Sequence, residues 1–218
     1  MVDVKGEDSV PEAKTILILG GGIGGVSTAR ALRKRLPRAN RIVLVDRERA
    51  HVFAPSLLWL MVGQRTAEAI QRPLARLGRK GIEVRLGDIQ RIDPEHRLVT
   101  VGGQEISADY LVVALGAELD PASIPGLTDA GHNFYTLPGA QALWGALQRF
   151  RAGRIVVMTA APAYKCPAAP YEGAMLIDAW CRKQGLRDGV QIDVYAAEPA
   201  PMGVAGPEVS GAVSSCSR

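Results

Sequence analysis

The chain has 218 residues, of which 47% are hydrophobic and 22% charged, enough for one large domain or for one domain plus part of another. Its net charge of +4 is too small to indicate binding to nucleic acid. Three widely spaced cysteines and three scattered histidines form neither a disulfide framework nor a metal site. No apolar stretch of about 18 residues predicts a membrane-spanning helix. Residues 1–14 lack the apolar segment of a signal peptide, so we expect a loose tail and a cytoplasmic setting.

The first predicted elements are a strand, a helix and a second strand, at 15–19, 26–36 and 41–45. Both strands are short apolar runs typical of a parallel sheet that is buried on its two faces. Pro37 ends the helix, because proline cannot continue it. The order of these elements predicts an α/β fold.

The turn between the first strand and the helix carries a dinucleotide-binding fingerprint. Gly20, Gly22 and Gly25 have the G-x-G-x-x-G spacing, and Asp46 follows about 20 residues later, where an acid hydrogen-bonds ribose hydroxyls. The first glycine permits the tight turn, the second lets a pyrophosphate approach the backbone, and the third lets helix and strand pack closely. The helix N-terminus offers its N–H groups to the phosphates. We interpret the turn as a pyrophosphate site; the alternative is a tight turn without a ligand.

An apolar segment at 49–63 is unusual for a loop, and Pro55 predicts a short helix within it. Something must cover this apolar segment, either the protein core or a flat ligand, and the sequence leaves both possibilities open. Gly116 follows a buried strand, at a sheet edge where ligands bind in open α/β folds. The predicted elements of this region are a helix at 71–80, a strand at 83–86, a hairpin with a glycine turn over 97–108 and the buried strand at 110–114.

A second α/β pattern begins after a crossover and a helix at 141–149. It consists of a strand at 154–158, a helix at 171–184 and a strand at 191–195. Residues 159–167, where a second dinucleotide motif would fall, contain no glycine and two prolines that offer no N–H donor. This composition argues against NAD(P)H bound in the usual way. We divide the chain into a tail at 1–14, a dinucleotide-binding domain at 15–150 and part of a second such domain at 151–218.

Cys166 lies just before the helix of the second pattern, with Lys165 beside it. A cation and a helix N-terminus both favour a thiolate, and Glu172, one turn inside the helix, could carry protons for a sulfur substrate. The alternative is a small buried cysteine and an acid that only complements the helix dipole. Spacing alone leaves both open. Cys181 lies on an apolar helical face and is predicted to belong to the core.

These motifs resemble the sulfide:quinone oxidoreductases and the flavoprotein subunits of flavocytochrome c sulfide dehydrogenase. Both groups belong, with the type II NADH dehydrogenases, to the FAD-dependent pyridine nucleotide-disulfide oxidoreductases. The resemblance covers about 14–213, and its most specific part is the segment from Lys165 to Glu172. It implies a Rossmann-like FAD-binding domain with a βββ insertion, followed by an incomplete second Rossmann-like domain.

The resemblance also implies that FAD is the cofactor. The matching positions are the glycine-rich turn, the end of the second strand, the loop near the flavin ring, the segment that meets the adenine and a second flavin motif. They are Gly20, Gly22, Ile23, Gly24, Gly25, Asp46, Arg47, Pro55, Ile89, Ala114 and Gly116. Leu115 departs from the threonine usual in the second flavin motif.

The activity that the resemblance implies is oxidation of sulfide, or of a related sulfur species, with electrons passed to quinone. Cys166 would hold sulfur and Glu172 would move protons. In the family the partner cysteine and the membrane-facing end lie further downstream, so we expect a truncated chain, with peripheral contact to the inner face of the cell membrane only through that missing region. One alternative is an NADH:quinone dehydrogenase of type II, against which the missing second glycine motif counts. The other is an FAD- or nucleotide-binding fragment without turnover.

Overall fold

The computed structural model describes residues 12–161 and 164–216. These residues form two compact units: unit 1 comprises the chain up to Val52 together with Gln71–Glu118, and unit 2 comprises Phe53–Ile70 and the chain from Leu119 onward. The expected tail at 1–14 lies almost entirely outside the described residues, as do Pro162 and Ala163 of the predicted glycine-free segment. The predicted domain boundaries stay a prediction.

Unit 1 has three small sheets and one long helix. In chain order the elements are β1 (Thr15–Leu19), α1 (Ile23–Arg35), β2 (Arg41–Asp46), β3 (Ala50–Val52), β4 (Gln71–Pro73), a 3₁₀ helix (Leu74–Lys80), β5 (Glu83–Leu86), β6 (Ile89–Asp93), β7 (Leu98–Val101), β8 (Gln104–Ser107) and β9 (Tyr110–Val113). A parallel sheet of four strands has the order β5-β2-β1-β9, an antiparallel sheet has the order β6-β7-β8, and β3 pairs with β4. The three-stranded sheet is the expected βββ insertion.

The strand β1 is buried on both faces, as its apolar run predicts. Leu17 and Leu19 belong to a cluster that includes Val99 and Ile106 of the three-stranded sheet. Ile16 and Ile18 belong to a second cluster, which contains Ala29 of α1 together with residues of β2. Alternate residues therefore serve opposite faces, since side chains along a strand point to the two faces in turn.

The helix predicted at 71–80 is wrong. Gln71–Pro73 is instead the strand β4, which pairs antiparallel with β3, and the rest of the segment is the 3₁₀ helix. Pro73 has ψ of 127° and no N–H to donate, so an α-helix cannot run through it. Gly81, with φ of 79°, ends the 3₁₀ helix in the left-handed conformation that glycine adopts without steric cost.

Unit 2 contains a small parallel sheet with a helix packed on it. β10 (Gly153–Met158) and β11 (Val190–Tyr195) pair in parallel, and α5 (Ala169–Lys183) contacts both strands. In the part of the chain that is described, the opposite face of this sheet leaves Val156, Met158 and Tyr195 exposed. This arrangement confirms the strand–helix–strand pattern that the sequence predicts there. The elements are α2 (Leu57–Met61), α3 (Leu127–Ala130), α4 (Leu137–Arg149), β10 (Gly153–Met158), α5 (Ala169–Lys183), β11 (Val190–Tyr195) and α6 (Pro207–Cys216).

Two glycines of α1 differ in the space around them, and this difference gives a matched pair of variants. A Cβ on Gly25 would lie 1.8 Å from the carbonyl oxygen of Gly20, whereas the nearest atom to a Cβ on Gly24 is 3.7 Å away. We expect Gly25→Ala to lower the free energy of unfolding by about 2 kcal/mol or more, because the overlap forces the backbone to move. Gly24→Ala should leave it unchanged or raise it by up to about 1 kcal/mol, because alanine favours helix.

Urea unfolding followed by far-ultraviolet circular dichroism measures both variants. Tryptophan fluorescence is unsuitable, since the tryptophans lie at positions 59, 144 and 180, all in unit 2. Equal unfolding midpoints for the two variants would show that α1 can move away from Gly20 without lowering the free energy of unfolding.

Candidate functional site

The glycine-rich turn lies at the carboxyl edge of the parallel sheet of unit 1. Gly20 follows β1 with φ of 105°, and its amide donates to the carbonyl of Val45, 2.8 Å away. The amide of Ala114 donates to the carbonyl of Leu19, also over 2.8 Å. A Cβ on Gly20 would lie 2.3 Å from the carbonyl oxygen of Ala114, so only glycine fits there. The turn and the ends of β2 and β9 therefore meet at the edge where open α/β sheets bind ligands.

Gly22 stands in open space at the start of α1. No described atom lies within 4 Å of a Cβ built on it, and its backbone is extended, with φ of −70° and ψ of −172°. Among the described residues no side chain caps α1, and its first turn, which begins with Ile23, contains no acid. No acid of the first turn of α1 therefore neutralises the positive end of the helix dipole. Room beside Gly22 and uncapped amides fit the pyrophosphate of FAD.

Asp46 lies beside the same turn. Its carboxylate accepts hydrogen bonds from the amides of Gly21 and Glu48, the latter over 2.6 Å. A carboxylate has about four acceptor sites, so Asp46 keeps the capacity to bind ribose hydroxyls. Its carbonyl oxygen also accepts from the amide of Gly87 over 3.0 Å, which brings the predicted adenine segment next to it.

The remaining predicted FAD contacts in unit 1 differ in their surroundings. Ile89 begins β6 and packs half-buried against the cluster of Leu17 and Leu19. Arg47 is exposed and forms an ion pair with Glu118 over 2.7 Å. Gly116 has φ of 77° with open space around it. The structure thus brings the turn, Asp46 and Ala114 together, and places Arg47 in a surface ion pair.

Sequence reasoning missed two residues at the turn. Nδ1 of His51, on β3, lies 3.0 Å from the carbonyl oxygen of Gly21. A Cβ on Gly21 would lie 2.6 Å from the side chain of Leu74 and 3.0 Å from the carboxylate of Asp46, so any larger residue there would displace these two side chains. The run of three glycines signals the crowding at Gly21. His51 gives no local signal, because its partner lies 30 residues away.

Pro55 and the two predicted catalytic residues belong to unit 2. Pro55 is exposed in a 3₁₀ turn, Ala54–Ser56, which leads into α2 as predicted. Leu57 and Met61 of α2 are buried, and α2 packs on α4 and α5. A protein core therefore covers most of the apolar segment, while Phe53 stays exposed.

Cys166 is exposed and has φ of 55°, a left-handed conformation that is uncommon for residues other than glycine. Its carbonyl oxygen accepts from the amide of Ala169 over 3.1 Å, at the start of α5. The hydroxyl of Tyr135 donates to the carbonyl of Lys165 over 2.7 Å. Burial, with smaller contributions from Cys166 and Tyr164, raises the pKa of Tyr135 to about 12, so its phenol stays a hydrogen-bond donor. Exposure contradicts the alternative of a small buried cysteine at Cys166.

Two other predicted positions of unit 2 lie on α5. Glu172 is exposed in the first turn, where it can both complement the helix dipole and exchange protons with solvent. Cys181 is completely buried, as predicted, and this burial raises the pKa of its thiol. The side chain of Cys216 lies outside the described residues.

Residues 12–161 and 164–216 contain no group of three or more His, Cys, Asp or Glu side chains arranged to hold a metal ion. They also contain no helix with the length and apolar character needed to cross a membrane.

Comparison with known proteins identifies the family to which the chain belongs. Residues 14–158 match the family model described as pyridine nucleotide-disulphide oxidoreductase. The mitochondrial sulfide:quinone oxidoreductase of Mus musculus is 29% identical over 187 residues, which are 81% of this chain and 40% of that protein. The external alternative NADH-ubiquinone oxidoreductase of Yarrowia lipolytica is 30% identical over 148 residues, 61% of this chain and 25% of that protein.

A solved structure agrees with these matches. The X-ray structure of the sulfide:quinone oxidoreductase of the hyperthermophilic bacterium Aquifex aeolicus superposes with a TM-score of 0.84 at 29% identity. The superposition covers 94% of this chain and 49% of that one. The chain therefore spans less than half the length of the relatives it matches.

The chain belongs to the pyridine nucleotide-disulphide oxidoreductase family, whose fold the two units share. FAD is the cofactor of this family, so the prediction of FAD as the cofactor is confirmed. Within the family, the resemblance to sulfide:quinone oxidoreductases is also confirmed.

The open space at Gly22 gives a direct test of the FAD position. We expect Gly22→Val to abolish retention of FAD, because the new side chain takes the room of the pyrophosphate. The unfolding midpoint of the cofactor-free protein should change little, since no described atom is close enough to clash. Flavin absorbance after gel filtration measures retention. A full complement of FAD in this variant would show that the turn does not bind the pyrophosphate.

The two described thiols should react at different rates. In a Cys216→Ser background, iodoacetamide should modify exposed Cys166 at least about a hundredfold faster than buried Cys181, because alkylation requires access to the sulfur. Peptide mass spectrometry after timed quenching separates the two sites. Addition of urea above the unfolding transition is the control and should equalise the rates. Equal rates without urea would contradict the described burial of Cys181.

Proposed function

We propose that this chain is the FAD-binding part of a flavoprotein that oxidises sulfide, or a related small sulfur species, and passes the electrons to quinone. The observation that carries the proposal is Cys166, an exposed thiol held in the left-handed conformation immediately before α5. Strained backbone at a chemically reactive side chain is typical of functional sites. The resemblance of this segment and of the whole chain to sulfide:quinone oxidoreductases supports the same assignment.

Each unit has a proposed task. In unit 1 the glycine-rich turn and Asp46 orient FAD through its pyrophosphate and ribose. FAD bound there would supply the two-electron redox chemistry between the sulfur substrate and quinone. In unit 2 Cys166 holds the sulfur atom while it is oxidised.

The chemistry at Cys166 requires quinone as its two-electron oxidant. The thiolate and HS⁻ form an S–S bond, which leaves a persulfide anion on Cys166 and releases one proton and two electrons. The two electrons reduce quinone to quinol, which takes up two protons, one balanced by the proton released at Cys166 and one from solvent. Glu172, exposed one turn inside α5, exchanges the proton with solvent. The proposed acceptor is a quinone dissolved in a membrane, which implies peripheral contact of the protein with the membrane surface.

Anaerobic titration of the FAD-loaded protein separates the proposal from its alternatives. Sulfide should bleach the flavin absorption band and NADH should not, because residues 159–161 and 164–167 offer no glycine for a second pyrophosphate. Bleaching by NADH alone would favour an NADH:quinone dehydrogenase, as in the relative from Yarrowia lipolytica. Failure to take up FAD at all would favour a fragment without turnover.

The role of Cys166 is tested by Cys166→Ser. This variant should bind FAD as the wild type does, because Cys166 lies in unit 2 and the FAD residues of the turn lie in unit 1. It should reduce flavin with sulfide at least about a thousandfold more slowly, since a hydroxyl cannot form the S–S bond. Cys181→Ser is the matched control and should keep the wild-type rate. An unchanged rate in Cys166→Ser would remove Cys166 from the mechanism.

A further inference from the structure

Glu198 lies in the segment after β11 and joins two tyrosines through one carboxylate oxygen. Its Oε1 accepts hydrogen bonds from the hydroxyl of Tyr164 over 2.9 Å and from the hydroxyl of Tyr171 over 2.5 Å. Tyr171 is buried on α5, with 5% of its surface exposed, whereas Tyr164 precedes Cys166 by two residues. The carboxylate therefore links residues 164–169, here called the Cys166 segment, to a fixed point in the core of unit 2.

The protonation states of Glu198 and of the two tyrosines favour these hydrogen bonds. Hydrogen bonding, from Tyr171 above all, lowers the pKa of Glu198, which therefore stays ionised at neutral pH. Burial, with the carboxylate as a second cause, raises the pKa of both Tyr171 and Tyr164, so both phenols stay donors. Hydrogen bonds to a charged acceptor are about twice as strong as those between neutral groups.

The Cys166 segment is held at several other points. Tyr135 donates to the carbonyl of Lys165, and the amide of Ala169 donates to the carbonyl of Cys166. The segment that carries Glu198 is fixed in turn, because the amide of Ala197 donates to the hydroxyl of Thr159 at the end of β10 over 2.9 Å. A left-handed residue other than glycine persists only where its surroundings determine it from several sides. Glu198 supplies the one side-chain charge in this set of contacts.

We propose that Glu198 is a positioning residue, which holds Cys166 in its left-handed, exposed conformation by accepting hydrogen bonds from Tyr164 and Tyr171. Its benefit to catalysis rests on the proposed function, because it acts through the thiol that binds sulfur. Its effect on the segment does not, so the two can be tested separately.

Hydrogen exchange measured by mass spectrometry tests the positioning itself. In Glu198→Ala the peptide covering 164–169 should exchange at least about tenfold faster, because its anchor in the core is lost, while the peptide around Cys181 on α5 should be unchanged. Glu198→Gln should stay within about threefold of the wild type, since the amide oxygen still accepts from a phenol. Tyr195→Phe is the matched control: its hydroxyl contacts Arg154 rather than Glu198, and the exchange at 164–169 should not change.

Several results would overturn the proposal. One is unchanged exchange at 164–169 in Glu198→Ala; another is equal acceleration at 164–169 and around Cys181, which would show a general loss of stability. Should Glu198→Ala fail to fold, Tyr164→Phe removes one hydroxyl and leaves the bond from Tyr171, and exchange at 164–169 equal to the wild type in that variant would contradict the proposal.

Sulfide-dependent reduction of bound FAD tests the catalytic consequence. The rate should fall about tenfold in Glu198→Ala with unchanged FAD content and recover in Glu198→Gln, because the acceptor and not the charge alone holds the segment. A wild-type protein that sulfide does not reduce would refute the proposed function, and the exchange data would still decide the positioning. Altered exchange with an unaltered rate would refute the catalytic role of the positioning.

Discussion

The approach of the Gly20 carbonyl to Gly25 is the contact on which the proposed nucleotide site of unit 1 depends. A Cβ at Gly25 would lie 1.8 Å from that oxygen, so α1 can begin directly above the end of β1 only because no side chain stands between them. This close contact between α1 and β1 places the uncapped start of α1 at the carboxyl edge of the sheet, where Asp46 and Ala114 also lie. The absence of side chains at the glycines therefore leaves room for a phosphate, and the helix dipole supplies partial positive charge there.

In unit 2, by contrast, hydrogen bonds from polar side chains surround the exposed thiol of Cys166. Cys166 is not on a regular element, and side-chain hydrogen bonds to Tyr135 and Glu198 hold the residues on its N-terminal side. A hydrogen bond to the amide of Ala169 connects it to α5. The glycine turn tolerates no added atoms at two of its positions, whereas the Cys166 segment depends on added polar groups. Substitutions should accordingly affect cofactor binding in one unit and thiol presentation in the other.

The predictable parts of the structure are those encoded in local pattern. The apolar runs of β1 and β2, the spacing of Gly20, Gly22 and Gly25 and the fold class all follow from periodicity and turn chemistry. The strand β4 was not predictable, because its conformation comes from pairing with β3 about 20 residues earlier and not from its own composition.

The contacts of unit 2 that link distant parts of the chain were equally hidden. Glu198 lies 34 residues from Tyr164 and 27 from Tyr171, and no sequence signal joins residues at such separations. The left-handed backbone of Cys166 was also unforeseen, since cysteine has no preference for it. Sequence reasoning found the thiol because of its neighbours, and the structure shows what holds it in place.

Competition between nucleotides would test most directly whether the glycine turn and Asp46 form the FAD site. We assign those residues to the pyrophosphate and ribose of the cofactor, so ADP, which has both groups, should displace FAD from the protein as followed by flavin fluorescence anisotropy. FMN lacks the adenosine half and should not displace it. Displacement of FAD by FMN, with no effect of ADP, would contradict this assignment and place the binding energy at the flavin ring.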